Sequence, residues 1–190
     1  VGAPMRNKVS QKRQALTSKL IADIDYFAKP LRTLNWLAGK SKGKLSSPDL
    51  ELANNKELVE LIKVFEKEGI CSINNEQLHF RSEEDRFYCN GGWLEEFVYS
   101  QILAIKDELQ VQDAAMGIEI ERQGYHKQAV RNELDVAFLA DNKFYLIECK
   151  TRNFKQSENE DGAGAETLYK LDSLVDLLAG TSGKGMLVSY

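Results

Sequence analysis

Three acidic side chains and a lysine lie at strand-like spacing within residues 132–151, NELDVAFLADNKFYLIECKT. Glu133 and Asp135 are two positions apart, and so are Glu148 and Lys150. Side chains two positions apart point to the same face of a β-strand. If this segment forms two strands, it therefore predicts carboxylates gathered beside an ammonium group.

The turn between the two predicted strands decides whether these pairs meet. If Asp141 and Asn142 form a two-residue turn, the register sets Asp135 opposite Glu148. Asp and Asn both tolerate the left-handed backbone that such a turn requires. A turn shifted by one residue sets Asp135 opposite Lys150 and keeps the same face. A three-residue loop without a bulge would separate the charges.

A pair of opposed carboxylates destabilises a sheet unless a positive charge neutralises it. A divalent cation would do so, and hard oxygen ligands favour Mg²⁺ or Mn²⁺. Lys150 beside such a cation could orient or activate a water, or stabilise the charge that develops on a phosphate. The alternative is a solvated strand face with mixed charges, which is common in antiparallel sheets.

The composition is typical of a soluble globular protein, with 43% hydrophobic and 28% charged residues. Cys71, Cys89 and Cys149 form no close pair, which argues against a disulfide framework or a zinc ribbon and favours a reducing cytoplasm. No apolar run is long enough to span a bilayer and no secretory signal opens the chain, so we expect no membrane partner.

The net charge of −4 does not indicate a polyanionic partner for the whole molecule. Nucleic-acid binding would therefore depend on local basic patches. One such patch includes Lys12 and Arg13, and another is the KSKGK run at residues 40–44. Charge runs of this kind are usually a solvated tail and loop, which is what we expect here.

The first half of the chain predicts helices followed by a small β-hairpin. Apolar spacing predicts a helix over about residues 12–38, with a break or kink at Pro30. A second helix follows, with Asn54 or Asn55 as its N-cap and Gly69 at its C-terminal end. Two short strands around an NNE turn come next. This order is typical of a winged-helix-like unit.

After Gly91-Gly92 the pattern changes to a mixed α/β domain. It predicts the order α-β-β-β-α-β, with a loop at residues 156–165 and a helix from Glu166. We therefore predict a helical, winged-helix-like segment at residues 1–85 and a domain of helices packed on a sheet at residues 86–190.

An acid, a β-hairpin and then (D/E)-x-K is the pattern of PD-(D/E)xK, or restriction-endonuclease-like, nucleases. Here Leu134-Asp135 takes the place of PD, and Glu148-Cys149-Lys150 supplies the second half. Four motifs occur in order, GGWLEEFVYSQI, NELDVAFL, LIECKT and LYKLDSLVDLLAG, and GKGMLVS follows them. Over about residues 50–190, this arrangement resembles the nuclease part of the CARF-associated CRISPR ancillary nucleases of type III systems.

The resemblance implies a restriction-endonuclease-like domain behind a winged-helix-like one. It implies a metal-dependent endonuclease of antiviral defence that uses Mg²⁺ or Mn²⁺ to hydrolyse DNA, RNA or both, as a homodimer. Relatives carry a CARF sensor that this sequence lacks, so the chain is either a fragment or a stand-alone variant. Cyclic oligoadenylate would act only through that absent domain.

The resemblance also assigns roles to individual residues. Asp135 and Glu148 would hold the metal, helped by the backbone carbonyl of Cys149, and Lys150 would position or activate the attacking water. Glu95 would reach the metal from the first helix of the domain. Glu96, its neighbour in GGWLEE, is the competing choice.

The remaining assignments concern nucleic acid and the alternatives to catalysis. Glu133 lies beside the predicted site, and Lys170 and Arg152 could contact nucleic acid. For Lys170 an ordinary solvated position on a helix is equally consistent with the sequence. The alternative function is a non-catalytic nucleic-acid-binding module with a degenerate nuclease fold. A purely structural dimerisation domain would leave the repelling acids unexplained.

Overall fold

The computed structural model describes residues 9–49, 55–123, 129–151 and 161–190. Its contacts divide the chain into an N-terminal unit, residues 10–97 with Tyr190, and a C-terminal unit, chiefly residues 98–189. The sequence boundary between residues 85 and 86 stays a prediction. In the described ranges, no helix is both long enough and apolar enough to cross a membrane.

The N-terminal unit is built from helices and one short hairpin. In chain order these are α1 (Gln11–Ala22), α2 (Ile24–Lys40), α3 (Lys56–Lys67), β1 (Cys71–Asn74), β2 (Gln77–Phe80) and α4 (Glu83–Phe87). A π-helical turn, Tyr88–Gly92, then leads into α5 (Trp93–Ala104). The boundary between the two units falls within α5, after Phe97. Gly91 has φ +105° in that turn, a conformation that suits glycine.

The long first helix of the prediction is two helices, and the break lies at Asp23 rather than at Pro30. Asp23 has φ −114° and ψ 31°, outside the helical region, and aspartate competes with the helix backbone for hydrogen bonds. Pro30 lies inside α2 and is buried. Packing of the proline ring in the unit's interior offsets the backbone hydrogen bond that proline cannot donate.

The predicted cap and hairpin of this unit are confirmed. The Asn55 side chain accepts a hydrogen bond from the Leu58 N–H at 3.1 Å, and Gly69 has φ +70° just beyond α3. β1 and β2 pair antiparallel around Asn75 and Glu76, which both have positive φ, as a two-residue hairpin turn requires. Assignment of α3–β1–β2 to the winged-helix class stays a prediction.

The C-terminal unit is a four-stranded mixed sheet with a long helix. Its elements are β3 (Val111–Gln123), β4 (Ala129–Ala140), β5 (Lys143–Lys150), α6 (Asp161–Ala179), a short 3₁₀ turn (Gly180–Ser182) and β6 (Lys184–Ser189). The strand order is β3-β4-β5-β6, with β6 parallel to β5 and the other pairs antiparallel. With α5 ahead of it, this confirms the mixed α/β class and the predicted element order.

α6 begins at Asp161, so residues 161–165 are helical and not the loop that their glycines predicted. The core of the unit forms where α6 packs on the sheet, and it contains Leu134, Ala137, Leu146, Leu171, Leu174 and Val175. Full burial of one such leucine stabilises a fold by about 1.5–3 kcal/mol. Gly185 of β6 lies under α6, because a Cβ there would come within 3.0 Å of Leu171 and 3.1 Å of Val175.

Candidate active site

The β4–β5 hairpin has the two-residue turn that the sequence predicted. Asp141 and Asn142 have φ values of 49° and 54°, and Ala140 pairs with Lys143. The recorded pairs continue to Val136 opposite Ile147. This is the first of the two registers considered, and it brings the end of β4 that carries Asp135 beside the end of β5 that carries Glu148.

Asp135 contacts β5 through its side chain. Its Oδ2 accepts a hydrogen bond of 2.7 Å from the backbone N–H of Cys149. Cys149 itself is buried and lies between the two charged residues of the ECK motif. The hydrogen bond fixes the Asp135 carboxylate against the strand that carries Glu148 and Lys150.

Glu148 and Lys150 form an ion pair on β5. Lys150 Nζ lies 2.5 Å from Glu148 Oε1, and the side chains are 36% and 9% exposed. β6 runs parallel alongside, with Leu187 opposite Glu148 and Ser189 opposite Lys150. The glutamate is therefore largely withdrawn from water, whereas the lysine keeps access to it.

The electrostatics of this cluster are incompletely balanced. Burial is the main cause that raises the pKa of Asp135 to about 6, and the charge of Glu148 adds to it. The Cys149 N–H and the Lys150 ammonium oppose the rise, and Glu133 contributes to it weakly. One ammonium therefore serves two withdrawn carboxylates, so the site attracts further positive charge.

A divalent cation fits this donor set in part. Within the described ranges, no three His, Cys, Asp or Glu side chains group to hold a metal ion. Mg²⁺ commonly takes one or two protein carboxylates and completes its coordination with water and phosphate oxygens. Asp135 and Glu148 suit that pattern, because both are oxygen donors and the charge of Glu148 helps to raise the pKa of Asp135.

The two candidate acids of α5 lie in its first turn, within the N-terminal unit. Glu96 is 7% exposed and its Oε1 accepts a hydrogen bond of 2.9 Å from Arg13 Nη1. Arg13 Nη2 donates to Asp85 Oδ1 at 2.8 Å. Glu96 is thus tied to α1. The family resemblance assigned the catalytic role to Glu95, with Glu96 as the competing choice. That role stays a prediction.

The Arg13 network is what the sequence interpretation missed. Arg13 was expected in a solvated basic tail, but it bridges two buried acids and lies 5.1 Å from the Tyr88 ring centre. The Tyr88 hydroxyl is also hydrogen-bonded to Thr17 at 2.7 Å. The only sequence signal was the position of Arg13 three residues before Leu16, within the predicted helix.

The structure describes two of the three residues predicted to contact nucleic acid. Glu133 is exposed, opposite Glu119 of β3, and Lys170 is exposed on α6. Arg152 lies outside the described residues. The structure thus brings together Asp135, Glu148 and Lys150, and the nucleic-acid contacts stay predictions.

Comparisons with known proteins agree with this geometry. Residues 82–190 match the family described as "Card1-like, endonuclease domain". Among solved structures, protein VC1899 from Vibrio cholerae matches at 34% identity and a TM-score of 0.81, over 99% of this chain and 48% of that one. Can2 from Sulfobacillus thermosulfidooxidans, solved in complex with cyclic tetra-adenylate, matches at 29% identity and a TM-score of 0.72, over 95% and 47%.

This chain therefore spans about half the length of the two solved structures. A search of curated proteins gives no significant match. The activity, substrates and partners of a whole relative are for that reason matters of proposal for this chain.

Proposed function

This chain belongs to the Card1-like endonuclease domain family, and from that premise we propose that it hydrolyses phosphodiester bonds of DNA, RNA or both with a divalent metal. The resemblance to CRISPR-linked nuclease domains is confirmed by the family match and by the similarity to Can2. The observation that carries the metal-dependent chemistry is the undercompensated cluster of Asp135, Glu148 and Lys150.

In this proposal the carboxylates of Asp135 and Glu148 would hold the cation. Glu95 and the backbone carbonyl of Cys149 are the further ligands that the family resemblance implies. Bound Mg²⁺ or Mn²⁺ would supply a Lewis acid for a phosphate oxygen and lower the pKa of a water. The Cys149 N–H keeps Asp135 Oδ2 in place, so the carboxylate reorients little when it takes up its ligand.

Lys150 has two tasks at this site. In the structure its ammonium partly neutralises Glu148. When a phosphate enters, the same ammonium can hold the attacking water or stabilise the negative charge that develops on the phosphate oxygens. Lysine suits both tasks because it presents a compact charge with rotatable donors on a flexible stem.

The partners of the reaction follow from the same family. We infer a nucleic-acid substrate and a homodimer. Can2 was solved with cyclic tetra-adenylate, and we propose that any control by such a ligand acts through residues other than those of the β4–β5 cluster. None of these partners is needed to explain the β4–β5 cluster.

The test is cleavage of supercoiled plasmid, single-stranded DNA and RNA with Mn²⁺, with Mg²⁺ and with EDTA. Asp135→Asn, Glu148→Gln and Lys150→Ala should each lower the cleavage rate by roughly 10³-fold, the usual cost of losing one preorganised electrostatic group. Cleavage should also stop in EDTA.

Two matched controls lie on the same hairpin. Asp141→Asn changes an exposed acid at the turn, and Lys143→Ala removes an exposed lysine from β5. Both should cleave as the unsubstituted chain does. Equal cleavage by Asp135→Asn and Asp141→Asn, or undiminished cleavage in EDTA, would contradict the proposal.

A further inference from the structure

α2 has one face in the interior of the N-terminal unit and another in solvent. Its buried residues are Phe27, Pro30, Leu31, Leu34, Leu37 and Ala38. These fix the orientation of the helix, since residues three and four apart share a face. In the described part of the chain, the opposite face is exposed to solvent.

That outer face carries a stripe of cations around an indole. Lys29, Arg32, Trp36 and Lys40 follow one another at spacings of three, four and four residues, and all four are exposed. We call these four residues the α2 stripe. Trp36 is 56% exposed, which is unusual for so large an apolar side chain.

The charge of this segment contrasts with that of the whole chain. Residues 24–44 hold five basic residues and one acid, Asp25, whereas the chain has a net charge of −4. Lys42 and Lys44, in the turn after α2, are exposed and continue the positive surface. Lys40 Nζ lies 5.8 Å from the Trp36 ring centre, so cation and aromatic ring form one continuous surface.

Two acids near this surface have contacts of their own. Glu83 lies near enough to Lys42 to interact with its charge, and Glu83 Oε1 forms an ion pair of 2.7 Å with Arg86 Nη2. Glu60, near the start of α2, accepts a hydrogen bond of 2.6 Å from the Tyr26 hydroxyl. Neither contact involves a residue of the α2 stripe.

We propose that the α2 stripe binds single-stranded nucleic acid. The lysines and Arg32 contact phosphates, and Trp36 stacks on a base. An aromatic ring flanked by cations is the usual construction of such surfaces, because every base has a face to stack and every nucleotide a charge. A duplex hides the faces of its bases, so single strands are favoured. The choice of ligand class rests on the proposed function.

The experiment measures binding of fluorescein-labelled oligo(dT) by fluorescence anisotropy in EDTA, with Asp135→Asn in every protein so that nothing is cleaved. Trp36→Ala should weaken binding by roughly tenfold or more through lost stacking, and Trp36→Phe should recover most of it. Lys29→Glu and Lys40→Glu should each weaken binding several-fold. Each should also lower the slope of log affinity against log salt by about 0.7 per lost contact.

Lys106→Glu is the matched control, since it reverses an exposed lysine of the C-terminal unit and changes the net charge equally. It should leave affinity and salt slope nearly unchanged. Thermal melts check that each variant is folded. Unchanged binding by both Trp36→Ala and Lys40→Glu overturns the proposal, as does equal weakening by Lys40→Glu and Lys106→Glu.

The result of this binding experiment can be distinguished from the result of the cleavage test of the proposed function. Binding in EDTA depends on the stripe and needs neither metal nor turnover. If the chain binds oligo(dT) through Trp36 but cleaves nothing, the stripe stands and the nuclease proposal fails. If the chain cleaves with metal and the stripe variants bind oligo(dT) normally, the nuclease proposal stands and the stripe inference fails. A preference of the stripe for an acidic protein over oligo(dT) also overturns the inference.

Discussion

Among the residues that the structure describes, two pairs of withdrawn carboxylates are balanced differently. In the N-terminal unit, Asp85 and Glu96 both contact the guanidinium of Arg13, at 2.8 and 2.9 Å. In the C-terminal unit, Asp135 and Glu148 share one lysine, which lies against Glu148. A guanidinium fork can bind two carboxylates at once with separate N–H groups, whereas an ammonium is a single point charge.

The pKa shifts show the consequence of this difference. Burial acts to lower the pKa of Arg13, but the hydrogen bond to Asp85 and the charges of Glu96 and Asp85 outweigh it, so that pKa is raised. At the hairpin, burial and the charge of Glu148 raise the pKa of Asp135 to about 6. In the first cluster, one guanidinium contacts both carboxylates. The second keeps unbalanced negative charge, which is typical of a functional site.

The largest effect on stability is expected where the balanced cluster is broken. Arg13→Ala leaves Asp85 and Glu96 buried without their shared cation, and loss of one partner of a buried pair costs about 3–5 kcal/mol. Urea unfolding followed by circular dichroism measures it. Arg131→Ala, which removes an exposed pair with Glu121, should cost under about 1 kcal/mol. A similar cost for both variants would show that the Arg13 cluster is not structural.

A smaller effect of opposite sign is expected at the unbalanced cluster. Asp135→Asn keeps an oxygen that can accept the hydrogen bond from the Cys149 N–H. It removes a carboxyl group whose pKa is raised from 3.8 to about 6. Because the pKa of Asp135 is raised on folding, its contribution to the free energy of unfolding is most favourable below pH 3.8. That contribution is lost as pH rises through about 6. The variant should therefore be more stable than the unsubstituted chain at pH 8, by up to about 3 kcal/mol.

Thermal melts of the two proteins between pH 4 and pH 8 test this sign. The stability difference should be small at pH 4 and grow until about pH 6. Asp141→Asn, at the exposed turn, should show no such growth. A difference that shrinks as pH rises would mean that Asp135 is stabilised as a carboxylate, and the contrast between the clusters would fail.

The smallest effect is the response of stability to a divalent cation. A ligand that binds only the folded state at 100 times its Kd adds about 2.7 kcal/mol. Mn²⁺ should therefore raise the melting temperature of the unsubstituted chain and should raise that of Asp135→Asn much less. Arg131→Ala should respond fully. An equal rise in all three proteins would place the cation elsewhere.

The hairpin was predictable because its determinants are local. Period-two alternation and the Asp141-Asn142 turn define the register of β4 and β5. The α-β-β-β-α-β order followed from periodicity and glycine positions in the same way. The break at Asp23 and the early start of α6 were not predicted, because tertiary packing overrides local propensity at the ends of helices.

By itself, the sequence predicted which residues would carry the chemistry. It determined that Glu148 and Lys150 share a strand face, because side-chain direction in a strand depends only on spacing. Only the tertiary structure decided which charges are balanced. Arg13 and Glu96 are 83 positions apart, and no local pattern predicts that they meet. Burial, which withdraws Glu96 from solvent and raises the pKa of Asp135, is a property of packing and not of spacing.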